Sequence, residues 1–399
     1  MEAWYFTEMP YPHLPPLDTI DSMRVTIPNR IYDPRIGADL YHRYLDEYLE
    51  ADDAGLNLMV NEHHQTATCL DTCAPLNLAI LARQSKKGRL LILGNPVANR
   101  GDPIRIAEEM AMIDVMSHGR LEAGFVRGVP YEIPAANTNP TQTLERVWEG
   151  IDLVTRAWKS HDEPFNYEGR FFHRRLVNVW PRTWQQPHPM IWITGSSDLP
   201  NIRKVASHGF VFATFLQPHT KVREMFDAYR GAYKDAGLPG GGGVAYMPLV
   251  FVADTEKEAE EGAKELTWYL FVKNEPQFQN PPGYVDVATN VLALKGAFAG
   301  RSAAMRARGM EFLREEGIMC YGTPDQVVSQ IKTLNERVGG MDHLLMMMQA
   351  GYMGNKRTVS NIRLFAKEVY PQIKDLPRSR SRPWVETLPA SSKPATAAE

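Results

Sequence analysis

The sequence predicts a single (β/α)8 TIM barrel, of class α/β, with insertions at its C-terminal rim. Eight short apolar runs alternate with amphipathic runs of helical periodicity along most of the 399 residues. Eight is the strand number at which parallel βα units close into a barrel. The competing doubly wound open sheet is typically marked by a G-x-G-x-x-G turn after an early strand, and no such turn is found.

The predicted strands are continuous apolar runs, a pattern typical of parallel strands that are buried on both faces. In chain order they are Trp4–Thr7, Leu56–Asn61, Leu90–Gly94, Leu121–Phe125, Met190–Thr194, Phe210–Phe215, Val244–Val252 and His343–Met348. Helices between them carry terminal signals, such as Pro103 at the start of Pro103–Met116 and Thr255 in a capping box. We assign residues 1–374 to this one barrel domain.

Three regions interrupt the alternation of strands and helices. Residues 165–179 indicate an extended excursion or hairpin before the fifth strand. Residues 276–317 form a long insertion that we expect to cover the C-terminal rim as a lid. Residues 375–399 are rich in Pro, Ser, Arg and Ala, a composition that predicts a disordered tail.

Composition argues against several classes of partner and site. The formal net charge is −3 and no basic stripe is present, so neither nucleic acid nor an anionic membrane is an expected partner. The sparse cysteines Cys69, Cys73 and Cys320 make neither a disulfide framework nor a zinc site. No signal peptide and no apolar run of about 18 residues is visible, so we expect a cytoplasmic protein.

The first candidate site residues follow the second predicted strand, at the barrel end where active sites of this fold lie. Asn61-Glu62-His63-His64 places four polar residues at the close of an apolar run. Such a histidine either moves protons near neutral pH or has a purely structural role. A metal site is a third interpretation, although neighbouring residues of a strand point in opposite directions. The residues alone leave these interpretations open.

Polar residues also follow the third, fourth and fifth strands. Asn95 could hydrogen-bond a planar heterocycle or belong to a plain turn. Arg127 could bind a phosphate or form a surface ion pair. Gly195, Ser196 and Ser197 precede a predicted helix and could form an anion site or an ordinary N-cap. Taken together, these strand ends favour a phosphorylated planar cofactor lying across the rim.

The sequence resembles the luciferase-like flavin monooxygenases over nearly its whole length, from Tyr5 to Tyr370. The resemblance is densest at Asn61–His64, Pro103–Gly128 and Trp180–Ser197. Its most specific motif is the Ala-Glu-Glu…Asp…Ser-x-Gly-Arg block of the second segment. The resemblance implies an enzyme that binds reduced FMN, often delivered by a separate flavin reductase. The flavin would react with O2 to a C4a-peroxide or hydroperoxide, which then oxygenates an organic substrate.

Site roles follow from the same resemblance, position by position. His63 corresponds to the histidine near the peroxyflavin and is the expected catalytic residue. Asn95 corresponds to a position beside the isoalloxazine, and the Gly94–Asn95 bond to one that is often a non-proline cis peptide. Arg127 corresponds to the phosphate-binding arginine. The expected cofactor-binding residues are therefore Asn95, Arg127, Gly195, Ser196 and Ser197, of which the last three form the phosphate loop.

The sequence departs from the family at Val126, which stands where luciferases carry a reactive cysteine, and this argues against light emission. Apolar residues near the rim fit a small hydrophobic substrate or simple core packing. They are Trp4, Phe6, Phe125 and Met346–Met348. Two alternatives remain: a deazaflavin (F420)-dependent hydride-transfer oxidoreductase of the same superfamily, and a non-catalytic flavin-binding partner subunit. Family members are often dimers, so a homodimer is compatible with the sequence.

Overall fold

Eight parallel strands form a closed ring, as the sequence predicts. The computed structural model describes residues 1–195, 198–238, 243–271, 281–285, 287, 291, 308–376 and 386–387. The ring strands are β1 (Glu2–Thr7), β2 (Asn57–Val60), β3 (Leu90–Asn95), β4 (Leu121–Phe125), β5 (Met190–Thr194), β6 (Val211–Phe215), β7 (Val244–Met247) and β8 (His343–Gln349). Each pairs with the next, and β8 pairs back with β1. All strands therefore end at one rim.

The helices begin where side chains satisfy free backbone N–H groups. Asp33 accepts the N–H of Arg35, and Asp102 accepts that of Ile104. The longer helices are α1 (Pro34–Asp53), α2 (Ala74–Gln84), α3 (Pro103–Met116), α4 (Thr143–Lys159), α5 (Leu199–Ser207), α6 (His219–Asp235), α7 (Glu256–Leu266), α8 (Pro324–Arg337) and α9 (Asn355–Leu364). Within the described ranges, no helix has the length and apolar character needed to cross a bilayer.

Shorter helical turns connect these elements. They are Leu17–Thr19, Asn29–Ile31, Val97–Arg100, Pro130–Glu132, Ile133–Ala136, Pro140–Gln142, Thr267–Phe271, Phe365–Val369 and Tyr370–Ile373. Residues 308–315 are also helical. The turn Pro130–Glu132 lies beyond β4, on the rim, and it becomes important at the candidate site.

The prediction of one continuous strand over Val244–Val252 is wrong. Proline has no backbone N–H to donate to a sheet ladder, and the strand is interrupted at Pro248. Its second half, Leu249–Val252, pairs with Met319–Gly322, a parallel strand that the sequence prediction missed. The missed strand has only four residues, so its apolar run does not stand out beside the long insertion that precedes it.

The hairpin expected over residues 165–179 is present, as an antiparallel pair of Phe165–Glu168 with His173–Val177. Of the expected lid, the structure describes residues 281–285, 287, 291 and 308–317. Of the expected tail beyond residue 376, it describes Glu386–Thr387, which pairs antiparallel with Gln185–Gln186. The other residues of both regions lie outside the described chain, and the roles as lid and disordered tail stay predictions.

Alternate strand residues face the barrel interior and the surrounding helices, as the pleat requires. Tyr5 packs outward against Tyr48, whereas Trp4 lies in the interior. There Trp192 contacts both Trp4 and His343, at ring-centroid distances of 5.5 and 4.6 Å. These aromatic rings fill the interior with side chains from three strands, so the barrel is a packed core rather than a channel.

The same alternation bears on the apolar rim residues, for which the sequence left open a hydrophobic substrate or simple core packing. Phe125 faces outward and contacts Trp158 of α4. Met346 and Met348 also belong to the layer between strands and helices. Phe6 and Met347 lie in the interior cluster with Trp4. Most of this apolar set is therefore core packing, and it carries no argument about the substrate.

Candidate active site

The loop after β4, residues 126–132, brings together predicted site residues from separate strand ends. The N–H of Val126 donates to the carbonyl oxygen of Asn95 at 2.9 Å. Arg127 belongs to this loop. At its far end the Glu132 carboxylate lies 3.1 Å from Nδ1 of His63. The structure thus places His63, Asn95 and Arg127 around one loop at the C-terminal rim.

Glu132 fixes the orientation of the His63 ring. A carboxylate only accepts hydrogen bonds, so Nδ1 of His63 carries the proton that it donates to Glu132 Oε1. The same oxygen accepts the backbone N–H of His64 at 3.0 Å. Glu132 is 3% exposed, whereas the His63 side chain keeps 21% of its surface exposed. Because no described residue hydrogen-bonds Nε2 of His63, that nitrogen is available to a bound molecule.

The electrostatic environment favours the protonated form of His63. Burial alone would lower the pKa of the imidazole, but the hydrogen bond and the charge of Glu132 outweigh it, and the pKa is raised above its usual value. Beside it, burial raises the pKa of the Asp71 carboxyl to about 7. The backbone carbonyl of Asp71 also accepts the N–H of His63 at 3.1 Å. A carboxyl group with a raised pKa therefore lies beside a histidine whose pKa is also raised.

His64 turns to a different carboxylate. Its Nε2 lies 3.2 Å from Glu62 Oε1, and the other Glu62 oxygen accepts the N–H of Ala74 at the start of α2. The hydrogen bond that His64 donates to Glu62 raises the pKa of His64 above its usual value. In the described part of the chain, no three His, Cys, Asp or Glu side chains are arranged to hold a metal ion.

Asn95 is fully buried at the end of β3, and only one of its two side-chain amide atoms has a hydrogen-bond partner among the described residues. Its Oδ1 accepts from Arg100 at 2.8 Å, while Nδ2 has no hydrogen-bond partner among the described residues. Both amide atoms of the nearby Asn99 are likewise buried without a described partner. A Cβ on Gly128 would lie 2.5 Å from Asn99 Nδ2, so this amide touches the loop after β4. Unused buried polar atoms of this kind indicate a polar ligand.

The cis peptide lies one residue earlier than the sequence prediction placed it. It joins Leu93 to Gly94, and the predicted Gly94–Asn95 bond is not cis. Gly94 lies directly against β4: a Cβ there would be 2.8 Å from the carbonyl oxygen of Gly124 and 3.1 Å from Val126. Two glycines on facing strands are thus what allows β3 and β4 to approach at the rim.

Arg127 is half-buried and partly engaged by the chain itself. Its Nε donates to Thr143 Oγ1 and its Nη2 to the carbonyl of Tyr284, both at 2.7 Å. The Tyr284 ring lies 3.8 Å from the guanidinium carbon, and its hydroxyl donates to Gly128. Burial lowers the pKa of Arg127 from its usual value, but an arginine stays charged. Among the described residues, none hydrogen-bonds Nη1.

The expected phosphate loop is only partly described. Gly195 donates its N–H to the Ala213 carbonyl at 3.1 Å, and a Cβ there would lie 3.0 Å from the Phe212 ring. Ser196 and Ser197 lie outside the described residues. Asp198, which follows them, caps α5 and interacts electrostatically with Arg127. The ends of β4 and β5 therefore adjoin, as a shared phosphate site requires.

Sequence reasoning missed Glu132, Tyr131, Arg24 and Tyr284. Glu132 and Tyr131 share the turn after β4, where a charge among apolar residues and prolines is the one signal that could have been noticed. Arg24 and Tyr284 lie on long connections whose course a single sequence does not fix. Their importance is visible only from contacts that join distant parts of the chain.

With this geometry in place, comparison with known proteins identifies the family. The profile of the luciferase-like monooxygenases matches residues 25–341. The chain belongs to this family. The predicted family, the luciferase-like monooxygenases, is thereby confirmed, as the closed ring of eight strands confirms the predicted fold.

Two characterised relatives are similar in sequence. The oxygenase component of the flavin-dependent trigonelline monooxygenase of Acinetobacter baylyi is 27% identical over 247 residues, or 59% of this chain and 66% of the relative, just under two thirds of its length. The 3,6-diketocamphane 1,6-monooxygenase of Pseudomonas putida is 22% identical over 358 residues, covering 82% of this chain and 91% of that protein.

Solved structures agree in fold. The monooxygenase RslO1 of Streptomyces bottropensis covers 93% of this chain and 99% of its own with a TM-score of 0.70 at 22% identity. The oxygenating constituent of the Pseudomonas putida 3,6-diketocamphane monooxygenase, solved with FMN, covers 93% and 98% with a TM-score of 0.67 at 20% identity. An F420-dependent secondary alcohol dehydrogenase reaches 0.65 at 16% identity, with 84% and 96% covered.

Proposed function

We propose that this protein is an FMN-dependent monooxygenase that uses O2 to oxygenate a small organic substrate, with reduced flavin supplied by a separate reductase. The observation that carries the proposal is the orientation of His63. Its Nδ1–H donates to Glu132, and Nε2, which no described residue hydrogen-bonds, lies on the rim that also carries Arg127. That arrangement suits a proton donor or acceptor beside a bound cofactor.

The polar atoms at the rim fit FMN. Asn95 Nδ2 and both amide atoms of Asn99 have no hydrogen-bond partner among the described residues, and they would serve as donors and acceptors for a planar heterocycle. No described residue hydrogen-bonds Nη1 of Arg127, and a guanidinium is well suited to a phosphate. Gly195, Ser196 and Ser197 stay the proposed phosphate loop. When bound, the reduced flavin supplies the electrons and the activation of O2.

The residues of this chain would perform the remaining tasks. His63 donates or holds a proton at Nε2 while Glu132 prevents the ring from turning. Tyr284, from the predicted lid, packs its ring against the Arg127 guanidinium, and its hydroxyl donates to the Gly128 carbonyl. This packing reduces the access of water to Arg127. The name of the A. baylyi relative, an oxygenase component, supports a separate flavin reductase as partner.

Stopped-flow mixing of the complex of this protein and reduced FMN with O2 tests the proposal. We expect a transient absorbance that differs from the spectra of both reduced and oxidised FMN and that free reduced FMN does not give. Direct conversion to oxidised FMN at the rate of the free flavin would contradict the proposal. Tight binding of F420 but not FMN, with anaerobic turnover, would instead support hydride transfer.

Replacement of Arg127 by alanine should weaken FMN binding by about tenfold or more and leave riboflavin binding nearly unchanged, because only FMN carries the phosphate that the guanidinium would meet. Isothermal titration of both flavins measures this. Arg105→Ala is the matched control, since Arg105 is an exposed arginine of α3 that pairs with Glu108. Equal weakening of both flavins by Arg127→Ala would refute the phosphate contact.

A further inference from the structure

Arg24 lies on the connection between β1 and α1, and its backbone is fixed against the loop that carries His63. An antiparallel bridge joins Arg24 to Thr66. On either side, Val25 N–H donates to Gln65 O at 2.7 Å and Ala67 N–H to Met23 O at 2.9 Å. Backbone hydrogen bonds therefore hold the segment around Arg24 against the loop that follows β2 at the rim.

The backbone beside Arg24 is in an unusual conformation. Val25 has φ 55° and its partner Gln65 has φ 54°, both in the left-handed region. A β-branched residue rarely adopts this conformation, which costs energy and persists where the surroundings impose it. This conformation lies directly beside the bridge between Arg24 and Thr66.

Arg24 contacts the site through an aromatic ring. Its guanidinium carbon lies 4.5 Å from the centroid of the Tyr131 ring, and that ring lies 6.3 Å from the His63 ring. Tyr131 is buried, and its hydroxyl has no hydrogen-bond partner in the described structure. The Tyr131 ring therefore lies between the positive charge of Arg24 and the predicted catalytic His63, and its hydroxyl has no described hydrogen-bond partner.

No carboxylate among the described residues is paired with Arg24. Glu8 accepts from Asn61 at 3.0 Å. Glu132 accepts hydrogen bonds from His63 and His64, and Glu62 accepts them from His64 and Ala74. Meanwhile Nε of Arg24 is buried without a partner in the described part of the chain. A buried guanidinium N–H normally has an acceptor, and no described residue supplies one to Nε of Arg24.

We propose that Arg24 is the specificity-determining residue of this site and selects substrates that carry a carboxylate. The proposal rests on the proposed function and deepens it. The planar guanidinium can donate two parallel hydrogen bonds to a carboxylate, and the Tyr131 hydroxyl supplies a further donor. A carboxylate held there places the rest of the substrate next to His63. The substrate is then an anionic molecule, not a purely hydrophobic one.

Matched pairs of a carboxylate and its primary amide test the proposal: benzoate and benzamide, cyclohexanecarboxylate and its amide, hexanoate and hexanamide. Binding to the FMN-loaded protein is measured by calorimetry for wild type, Arg24→Gln, Arg24→Lys and the control Arg30→Gln. Arg30 is an exposed arginine of the same connection. We expect wild type and Arg30→Gln to bind at least one carboxylate about tenfold tighter than its amide. Arg24→Gln should lose that preference and Arg24→Lys should keep part of it.

Absence of any carboxylate preference in wild type, or its survival in Arg24→Gln, overturns the proposal. A selective loss of FMN over riboflavin affinity in Arg24→Gln also overturns it, because Arg24 would then bind the cofactor phosphate. The same titrations on flavin-free protein separate the two proposals. Carboxylate preference without any FMN binding would contradict the proposed function and leave the anion site standing.

Discussion

Replacement of His63 by alanine should leave the fold and FMN affinity intact and nearly abolish oxygenation. The His63 side chain is partly exposed and makes one side-chain hydrogen bond, to Glu132, so its loss removes little packing. Proton transfer by a positioned side chain contributes about 10²–10⁴-fold to a rate. We expect a loss of product in that range, with the consumed O2 appearing as H2O2.

His64→Ala is the matched control, because the ring of this adjacent histidine bonds Glu62, whereas the backbone N–H that it donates to Glu132 is kept in the variant. Circular dichroism and FMN titration check the fold and the cofactor site of both variants. The yield of H2O2 per reduced FMN oxidised is then compared in the presence of a substrate found among the carboxylates. If His63→Ala released no more H2O2 per reduced FMN oxidised than wild type, or if both variants released equally more, His63 would have no special role in oxygenation.

The fold could be predicted from the sequence because its signals are local. Buried parallel strands and amphipathic helices appear in the sequence as short patterns of apolar and polar residues. The sequence prediction failed only where a feature interrupts such a pattern or is too short to form one. Pro248 divides one strand, and Met319–Gly322 is too short to be noticed. The cis peptide bond joins Leu93 to Gly94, one residue before the predicted position. Resemblance to a family indicates the segment in which such a bond occurs but not which bond of that segment is cis.

The site could be predicted only in part because its chemistry depends on distant contacts. Strand ends located His63, Asn95 and Arg127, since parallel strands share a rim. Glu132, however, is 69 residues from His63 in the chain. Arg24 approaches through a connection of irregular backbone, and no periodicity fixes its course. Groups that orient or complement a predicted residue are therefore found from the structure.

Replacement of Glu132 by glutamine should lower the pKa of His63 and shift the pH dependence of the reaction. Glutamine keeps the shape and an acceptor oxygen but removes the charge that favours the imidazolium. Burial, which lowers the pKa of His63, would then prevail. The pH at which His63 loses its proton should move down. An NMR titration of the His63 ring measures this directly and separates it from Asp71, whose pKa is raised by burial to about 7.

The stability difference between wild type and Glu132→Gln has a defined sign. The folded-state pKa of His63 is raised, so the ion pair stabilises the fold fully below the unfolded-state pKa of about 6.5 and is lost as pH rises through the folded-state value. Urea unfolding should therefore show a gap of about 1–3 kcal/mol at acidic pH that shrinks in alkaline buffer. Glu62→Gln is the control: it should lower the pKa of His64 and leave that of His63 in place, because Glu62 bonds only the former. An unchanged His63 titration in Glu132→Gln would mean that Arg24, Glu8, Asp71 and His64, the other charged groups around the ring, set its proton affinity instead.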